Sequence, residues 1–162
     1  MIKKYWFYLI GVLSIAAIGS ALIAEHYFYL EPCKMCLKQR EAYYAIIILF
    51  LFFIALRWQT KIWFFLGVQI LTIYGLFYSL WHVGIENKFL SGPSGCSGGL
   101  ELTNNTTNLK EQIMSKAVVN CENVAWSMFG LSAAIINSLL LFLIFLINAI
   151  YLWNNGFKKE KN

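Results

Sequence analysis

Residues 62–85 read IWFFLGVQILTIYGLFYSLWHVGI, a stretch of 24 residues without aspartate, glutamate, lysine or arginine. At a rise of about 1.5 Å per residue, a helix of this length crosses the ~30 Å hydrocarbon core of a bilayer. The whole chain is 59% apolar and only 13% charged, which is too hydrophobic for a soluble domain of this size. The stretch therefore predicts a membrane-spanning helix.

Three further apolar stretches have the same character, at about residues 5–24, 37–56 and 126–153. The second stretch begins in a charged segment, because counting back about 20 residues from Arg57 places its start near Leu37. We expect an all-α membrane protein, a single domain over residues 1–162 with a four-transmembrane-helix bundle and exported loops at about 25–36 and 86–125. A signal peptide is the alternative for the first stretch, but its 20 uncharged residues exceed the ~7–15 of a cleaved hydrophobic region.

Lysine and arginine predict the orientation of the helices. Seven of the 13 basic residues lie on one side of the four predicted spans, in short flanks such as Lys3, Lys4, Arg57 and Lys61. The other six are spread over the longer loops, together with seven of the eight acidic residues. Because dense basic flanks favour the cytoplasm, we expect both termini there and all four cysteines outside, where disulfides persist. The net charge is thus a topology signal and gives no reason to expect nucleic-acid binding.

The first exported loop ends in Cys33-Lys-Met-Cys36 and Arg40. Pro32 precedes the pair, and proline is favoured at the start of a helix, so both cysteines are expected at a helix N-terminus. Free N–H groups and the helix dipole favour a thiolate there. Arg40 follows Cys36 by four residues and lies on the same helix face, where it stabilises a thiolate or polarises a bound carbonyl. Its alternative role is an interfacial arginine that reaches the headgroups.

The second exported loop carries Cys96 and Cys121. Glycine and turn-forming residues surround Cys96, so we expect it on an accessible segment that a partner protein reaches. Apolar residues at helical spacing predict a short interfacial helix at about 108–119. The separation of 25 positions between the two cysteines suits a disulfide that closes a loop, although four cysteines are also sufficient ligands for zinc.

Together these residues give the chain a resemblance to the disulfide bond formation protein B (DsbB) family, over nearly its whole length. The resemblance is carried by the order of the parts: four spans, Cys33-x-x-Cys36-x-x-x-Arg40, Cys96 and Cys121, and Trp126 with Phe129-Gly130. In the vitamin K epoxide reductase family, which also pairs loop cysteines with a membrane C-x-x-C, the C-x-x-C comes last. The order therefore favours the DsbB family.

The resemblance implies an oxidoreductase of the bacterial inner membrane that reoxidises a periplasmic thioredoxin-like protein of the DsbA type. The known DsbA–DsbB–quinone chain keeps the periplasm oxidising, so this part follows from the family and not from the residues. Electrons would pass from the partner to the Cys96–Cys121 disulfide, attacked at Cys96. They would then pass to Cys33 and Cys36, and finally to a membrane quinone, either ubiquinone or menaquinone.

The same resemblance assigns the quinone contacts. Cys36 faces the quinone, and Arg40 holds a quinone carbonyl. His82 lies about one position from the family's histidine beside the quinone, where it would donate a hydrogen bond or a proton to a quinone oxygen. An interfacial histidine satisfied by headgroups or water is the alternative. Two other functions stay open: a zinc-binding or sensory membrane protein with cysteine ligands, and a structural subunit with two inert disulfides.

Overall fold

The computed structural model describes residues 2–59, 61–93, 96, 121, 124, 126–128 and 130–154. Within these residues the chain forms four α-helices and one antiparallel hairpin. The elements are α1 (Ile2–His26), α2 (Lys34–Ala55), α3 (Ile62–Glu86), β1 (Ser127–Met128), β2 (Leu131–Ser132) and α4 (Ala133–Leu152). The interfacial helix expected at about 108–119 lies outside the described residues.

Among the described residues, three helices are long and apolar enough to cross a membrane: α1, α3 and α4. At most 33% of the residues in their most apolar windows are buried inside the protein, so most of their apolar surface faces outwards. Such a surface suits lipid and not water. Helix α2 does not meet the same criterion, because its first two turns carry Lys34, Lys38, Arg40 and Glu41.

Helix α3 forms the centre of the bundle. It packs against α2 and α4, while α1 packs against α2. Gly75 permits the approach of all three central helices, since a Cβ there would lie 2.9 Å from the Cβ of Ala42 and 3.1 Å from Leu141. Below this contact the core is aromatic, with the rings of Phe7 and Phe64 4.5 Å apart. The upper half of the bundle, towards the N-terminus of α2, is polar and contains the cysteines.

Helices α2 and α3 end in the same capping motif, with a non-glycine residue in the left-handed region. After α3, Lys88 has φ 60°, and its N–H bonds the carbonyl of Ile85 while the N–H of Phe89 bonds that of Gly84. This 5→2 and 6→1 pairing satisfies the last carbonyls of the helix. Helix α3 thus stops just after Glu86, and the chain turns back over the last turns of α3, where the ring N–H of Trp81 donates to the carbonyl of Ser91 at 3.3 Å.

The last apolar stretch is helical only from Ala133, seven residues after Trp126. Its first part forms the hairpin, in which Ser127 pairs with Ser132 and the turn contains Gly130 with φ 79°. A left-handed backbone is cheap for glycine and interrupts a helix. The side chain of Ser132 then accepts a hydrogen bond from the N–H of Ile135 at 3.3 Å and caps α4.

Candidate functional site

The N-terminus of α2 carries the first cysteine pair. Cys33 is the N-cap residue, with an extended backbone (φ −73°, ψ 168°), and its Sγ accepts a hydrogen bond from the N–H of Cys36 at 3.3 Å. The unpaired N–H groups at this end of the helix favour negative charge on a sulfur. The structure therefore places both cysteines at a helix N-terminus, where the C-x-x-C spacing and Pro32 predict them.

Cys33 and Cys36 are free thiols whose sulfurs lie 2.9 Å apart. The Sγ of Cys33 also lies 3.6 Å from Nε2 of His82. The hydrogen bond from Cys36 is the largest cause that lowers the pKa of Cys33 to about 4, and His82 adds to it against the opposing effect of burial. The N–H of Cys36 and Nε2 of His82 both lie within hydrogen-bond distance of the Cys33 sulfur, so negative charge is favoured on Cys33.

A chain of hydrogen bonds leads away from His82 through the bundle. Nδ1 of His82 accepts from the side-chain amide of Gln39 at 2.8 Å. Oε1 of Gln39 accepts from Nδ2 of Asn137 at 2.8 Å, and Oδ1 of Asn137 accepts from the hydroxyl of Tyr43 at 2.6 Å. The role of Gln39 was not predictable from the sequence, because no local pattern shows that its face of α2 meets α3 and α4.

Arg40 lies one turn below Cys36 and is held by an ion pair. Its Nη1 lies 2.6 Å from Oε2 of Glu25, near the end of α1, and the Arg40 side chain is only 14% exposed. The partner of Arg40 could not be inferred from the sequence, because the two residues are 15 positions apart on different helices. Glu25 fixes the position of the guanidinium and leaves its remaining N–H groups for other acceptors.

A cavity of about 190 Å³ lies beside these groups. Small apolar residues of α1 and α4 form one wall, and Cys33, Cys36, Arg40 and His82 contribute polar atoms to the rest. The lining residues from α1 and α4 include Ala17, Ala21, Ala24, Ala133, Ala134 and Leu140. Such a cavity suits an apolar ligand that carries one or two hydrogen-bond acceptors.

Glu86 closes the cavity near the end of α3. One carboxylate oxygen accepts a hydrogen bond from the hydroxyl of Ser132 at 2.5 Å, and the other lies 3.8 Å from Nε2 of His82. The Glu86 side chain is 7% exposed. The carboxylate thus joins the start of α4 to the site, a role that the sequence did not predict.

The second cysteine pair forms a disulfide, Cys96 to Cys121. Both residues are fully buried and belong to one cluster with Cys33, Met35 and Ile85. The expected accessibility of Cys96 is therefore wrong for this conformation. Gly92 permits this packing, because a Cβ there would lie 2.8 Å from the Cβ of Cys96 and 3.8 Å from the side chain of Ile85 on α3.

Comparison with known proteins identifies the family of this chain. The family model of disulfide bond formation protein DsbB matches residues 3–152. The chain belongs to the DsbB family. It is similar to the disulfide bond formation protein B of Methylobacillus flagellatus, with 31% identity over 132 residues, which cover 77% of this chain and 78% of the relative.

A second relative is the uncharacterized protein RP370 of Rickettsia prowazekii, 27% identical over 130 residues that cover 79% of this chain and 75% of that protein. No solved structure matches the chain significantly. Membership of the DsbB family, together with three helices able to span a bilayer, makes this chain a multi-pass membrane protein of disulfide-bond formation. It is accordingly a disulfide-forming oxidoreductase.

Proposed function

We propose that this protein reoxidises a periplasmic thioredoxin-like dithiol protein of the DsbA type and passes the electrons to a membrane quinone. Cys96 and Cys121 are the pair that reacts with the partner. Cys33 and Cys36 are the pair that reduces the quinone. The proposal includes the bacterial inner membrane as the location, with four spanning helices, both termini in the cytoplasm and the cysteines on the periplasmic side.

The observation that carries the proposal is the position of Cys33 and Cys36 between two partners. On one side, Cys33 shares a buried cluster with the Cys96–Cys121 disulfide. On the other, both residues line the cavity that also contains Arg40. A thiol pair in a polar loop does not meet a quinone dissolved in lipid, so a second pair at the membrane edge has to connect them.

The exchange balances as a sequence of thiol–disulfide reactions. A partner thiolate attacks the Cys96–Cys121 bond, forms a mixed disulfide and releases one sulfur as thiolate. The second thiol of the partner then attacks the mixed disulfide and displaces the cysteine of this protein. The partner leaves with its own disulfide, and Cys96 and Cys121 become a dithiol. This dithiol then reduces a Cys33–Cys36 disulfide in the same way. The result is the state seen in the structure, with Cys33 and Cys36 free and the second pair oxidised.

The cavity supports the quinone part of the proposal. Its volume of about 190 Å³ and its alanine-rich wall suit a planar, mostly apolar ring. A bound quinone would supply an acceptor for two electrons and two protons. Arg40 would donate to a carbonyl oxygen of that ring, with its position fixed by Glu25. Cys36, less buried than Cys33, is the sulfur that we assign to face the ring.

Quinone absorbance during mixing with a reduced thioredoxin-like dithiol protein tests the proposal. Wild-type protein is expected to reduce quinone in proportion to the added partner, and Cys36→Ser to abolish the reduction. Lys38→Gln is the matched control, because Lys38 lies in the same turns of α2 but pairs with Glu41 at the exposed surface. Wild-type protein without partner-dependent quinone reduction would refute the proposal.

The two alternative functions make different predictions for the same sample. A zinc site built from all four cysteines requires four thiolates, whereas Cys96 and Cys121 are joined to each other here. That function predicts about one zinc per chain and no quinone reduction. A structural subunit with inert disulfides predicts that Cys121→Ser forms no mixed disulfide with the partner through Cys96.

A further inference from the structure

The hydrogen bonds behind His82 determine which ring nitrogen carries the proton. The amide nitrogen of Gln39 has no lone pair to offer, so Nδ1 at 2.8 Å has to be the acceptor. We infer that Gln39 is a positioning residue that holds His82 in the neutral tautomer with the proton on Nε2, so that the ring donates to Cys33. The inference rests on the proposed function, since it concerns the sulfur pair that this function uses.

Tyr43 sets the direction of the whole chain. If the amides of Gln39 and Asn137 were both reversed, Oε1 would face His82 and the tautomer would be the opposite one. The Tyr43 oxygen would then accept from the Asn137 nitrogen. Their separation of 2.6 Å is short for N–H···O, which is usually about 2.9–3.0 Å, and fits O–H···O. The phenol therefore donates to Oδ1 and fixes the orientation of Asn137.

The remaining contact of Asn137 agrees with this direction. Its Nδ2 lies 3.2 Å from Oγ of Ser79, in addition to its bond to Gln39. Oγ of Ser79 also lies 2.7 Å from Oγ of Ser138, and the Ser138 hydroxyl donates to the carbonyl of Ala134 at 2.8 Å, so Ser79 donates its own proton to Ser138. Ser79 accordingly accepts from Asn137. Each polar atom of the chain has a partner of the opposite kind, which a buried network requires.

The tautomer of His82 decides what its ring offers to the Cys33 sulfur. A ring with its proton on Nε2 presents a donor and no lone pair to the sulfur 3.6 Å away. His82 then stabilises a Cys33 thiolate, but it does not remove a proton from Cys33. Nor is Nε2 in this tautomer a metal ligand, although the ligand atoms of Cys33, Cys36 and His82 lie within 4.8 Å of one another.

Other charges near the sulfur pair have to stay unchanged in any test. Glu31 and Glu86 line the cavity, and Glu25 reaches it through its ion pair with Arg40. The described residues of α4 that line the cavity are not titratable. A useful variant therefore changes the amide chain and leaves these carboxylates, Arg40 and both cysteines in place.

Nitrogen-15 NMR of histidine-labelled protein in detergent micelles tests the inference directly. The chain has only two histidines, so a His26→Gln background leaves the signals of His82 alone. We expect a protonated Nε2 and an unprotonated Nδ1. Gln39→Glu replaces the donor by an acceptor of the same shape, and it is expected to move a proton onto Nδ1. A protonated Nδ1 without the Gln39 substitution would overturn the inference, as would an unprotonated Nδ1 in Gln39→Glu.

Tyr43→Phe is the second variant, and it leaves Gln39 and His82 in place. We expect partial protonation of Nδ1 and an upward shift of the pH at which the Cys33 thiolate forms, by about 1 pH unit. Tyr74→Phe, which removes a surface hydroxyl bonded to Glu41, is the matched control and is expected to change neither. An unchanged tautomer in Tyr43→Phe would refute the role of the phenol.

These measurements need neither quinone nor partner, so the two proposals fail separately. A protein that reduces quinone but carries the proton on Nδ1 would refute only the inference. A protein that reduces no quinone but carries the proton on Nε2 would refute only the proposed function.

Discussion

The thiolate of Cys33 gives the sharpest quantitative prediction. Three groups lie around its sulfur: Sγ of Cys36 at 2.9 Å, the N–H of Cys36 at 3.3 Å and Nε2 of His82 at 3.6 Å. They lower its pKa from 9.0 to about 4. At pH 6 a thiol with a pKa of about 4 is ~99% ionised, whereas an unperturbed thiol is ~0.1% ionised. Because the pKa is lowered, the thiolate persists above pH 4 and disappears only below it.

Ultraviolet thiolate absorbance during acidification measures this difference. A background with Cys96→Ser and Cys121→Ser keeps only Cys33 and Cys36 of the four cysteines. After reduction, we expect one thiolate per chain at pH 6 and its loss near pH 4. Removing the largest cause with Cys36→Ala is expected to raise the midpoint by more than 1 pH unit, because the hydrogen bond from the neighbouring thiol is lost.

Cys33→Ala is the matched control in the same background. It leaves Cys36 as the remaining thiol, and no thiolate is expected at pH 6. Alkylation of the reduced parent background at pH 6, followed by mass spectrometry, locates the charge in the intact pair, and modification at Cys36 in place of Cys33 would reverse the assignment. If the parent background showed no thiolate at pH 6, the donor geometry would not explain the chemistry of the pair.

Three further substitutions test positioning and packing. Glu25→Gln removes the charged partner of Arg40. We expect about a tenfold higher KM for quinone and an unchanged KM for the partner protein. Equal changes in both KM values would contradict a quinone-specific role. Gly75→Val forces side-chain atoms against α2 and α4, and we expect it to lower the free energy of unfolding by about 2 kcal/mol. Gly19→Val is the control and is expected to be neutral, because the space around its Cβ is open. Gly92→Ala places a methyl group against Cys96 and is expected to displace the loop disulfide from the bundle. We expect roughly tenfold slower electron transfer from partner to quinone, with an unchanged KM for quinone. An unchanged rate would show that the close approach is dispensable.

Local physical chemistry explains what could be predicted. Apolar stretches of 20 or more residues need hydrocarbon or a large core, so the apolar helices were predictable from their length and composition. The position of Cys33 and Cys36 at a helix N-terminus was predictable as well, because capping depends on neighbours within four residues. The last helix was predicted to begin too early, since hydrophobicity alone does not show the left-handed turn at Gly130.

The sequence by itself determined the class of this protein: a membrane chain with two cysteine pairs and one arginine beside the first pair. Only the tertiary structure decided which groups surround those sulfurs. In the sequence, Gln39 lies 43 positions from His82 and 98 positions from Asn137, to both of which it is hydrogen-bonded. The burial of Cys96 depends on packing against α2 and α3. A capping motif or a spanning length is fixed by adjacent residues, whereas the tautomer of a buried histidine depends on which faces of separate helices meet.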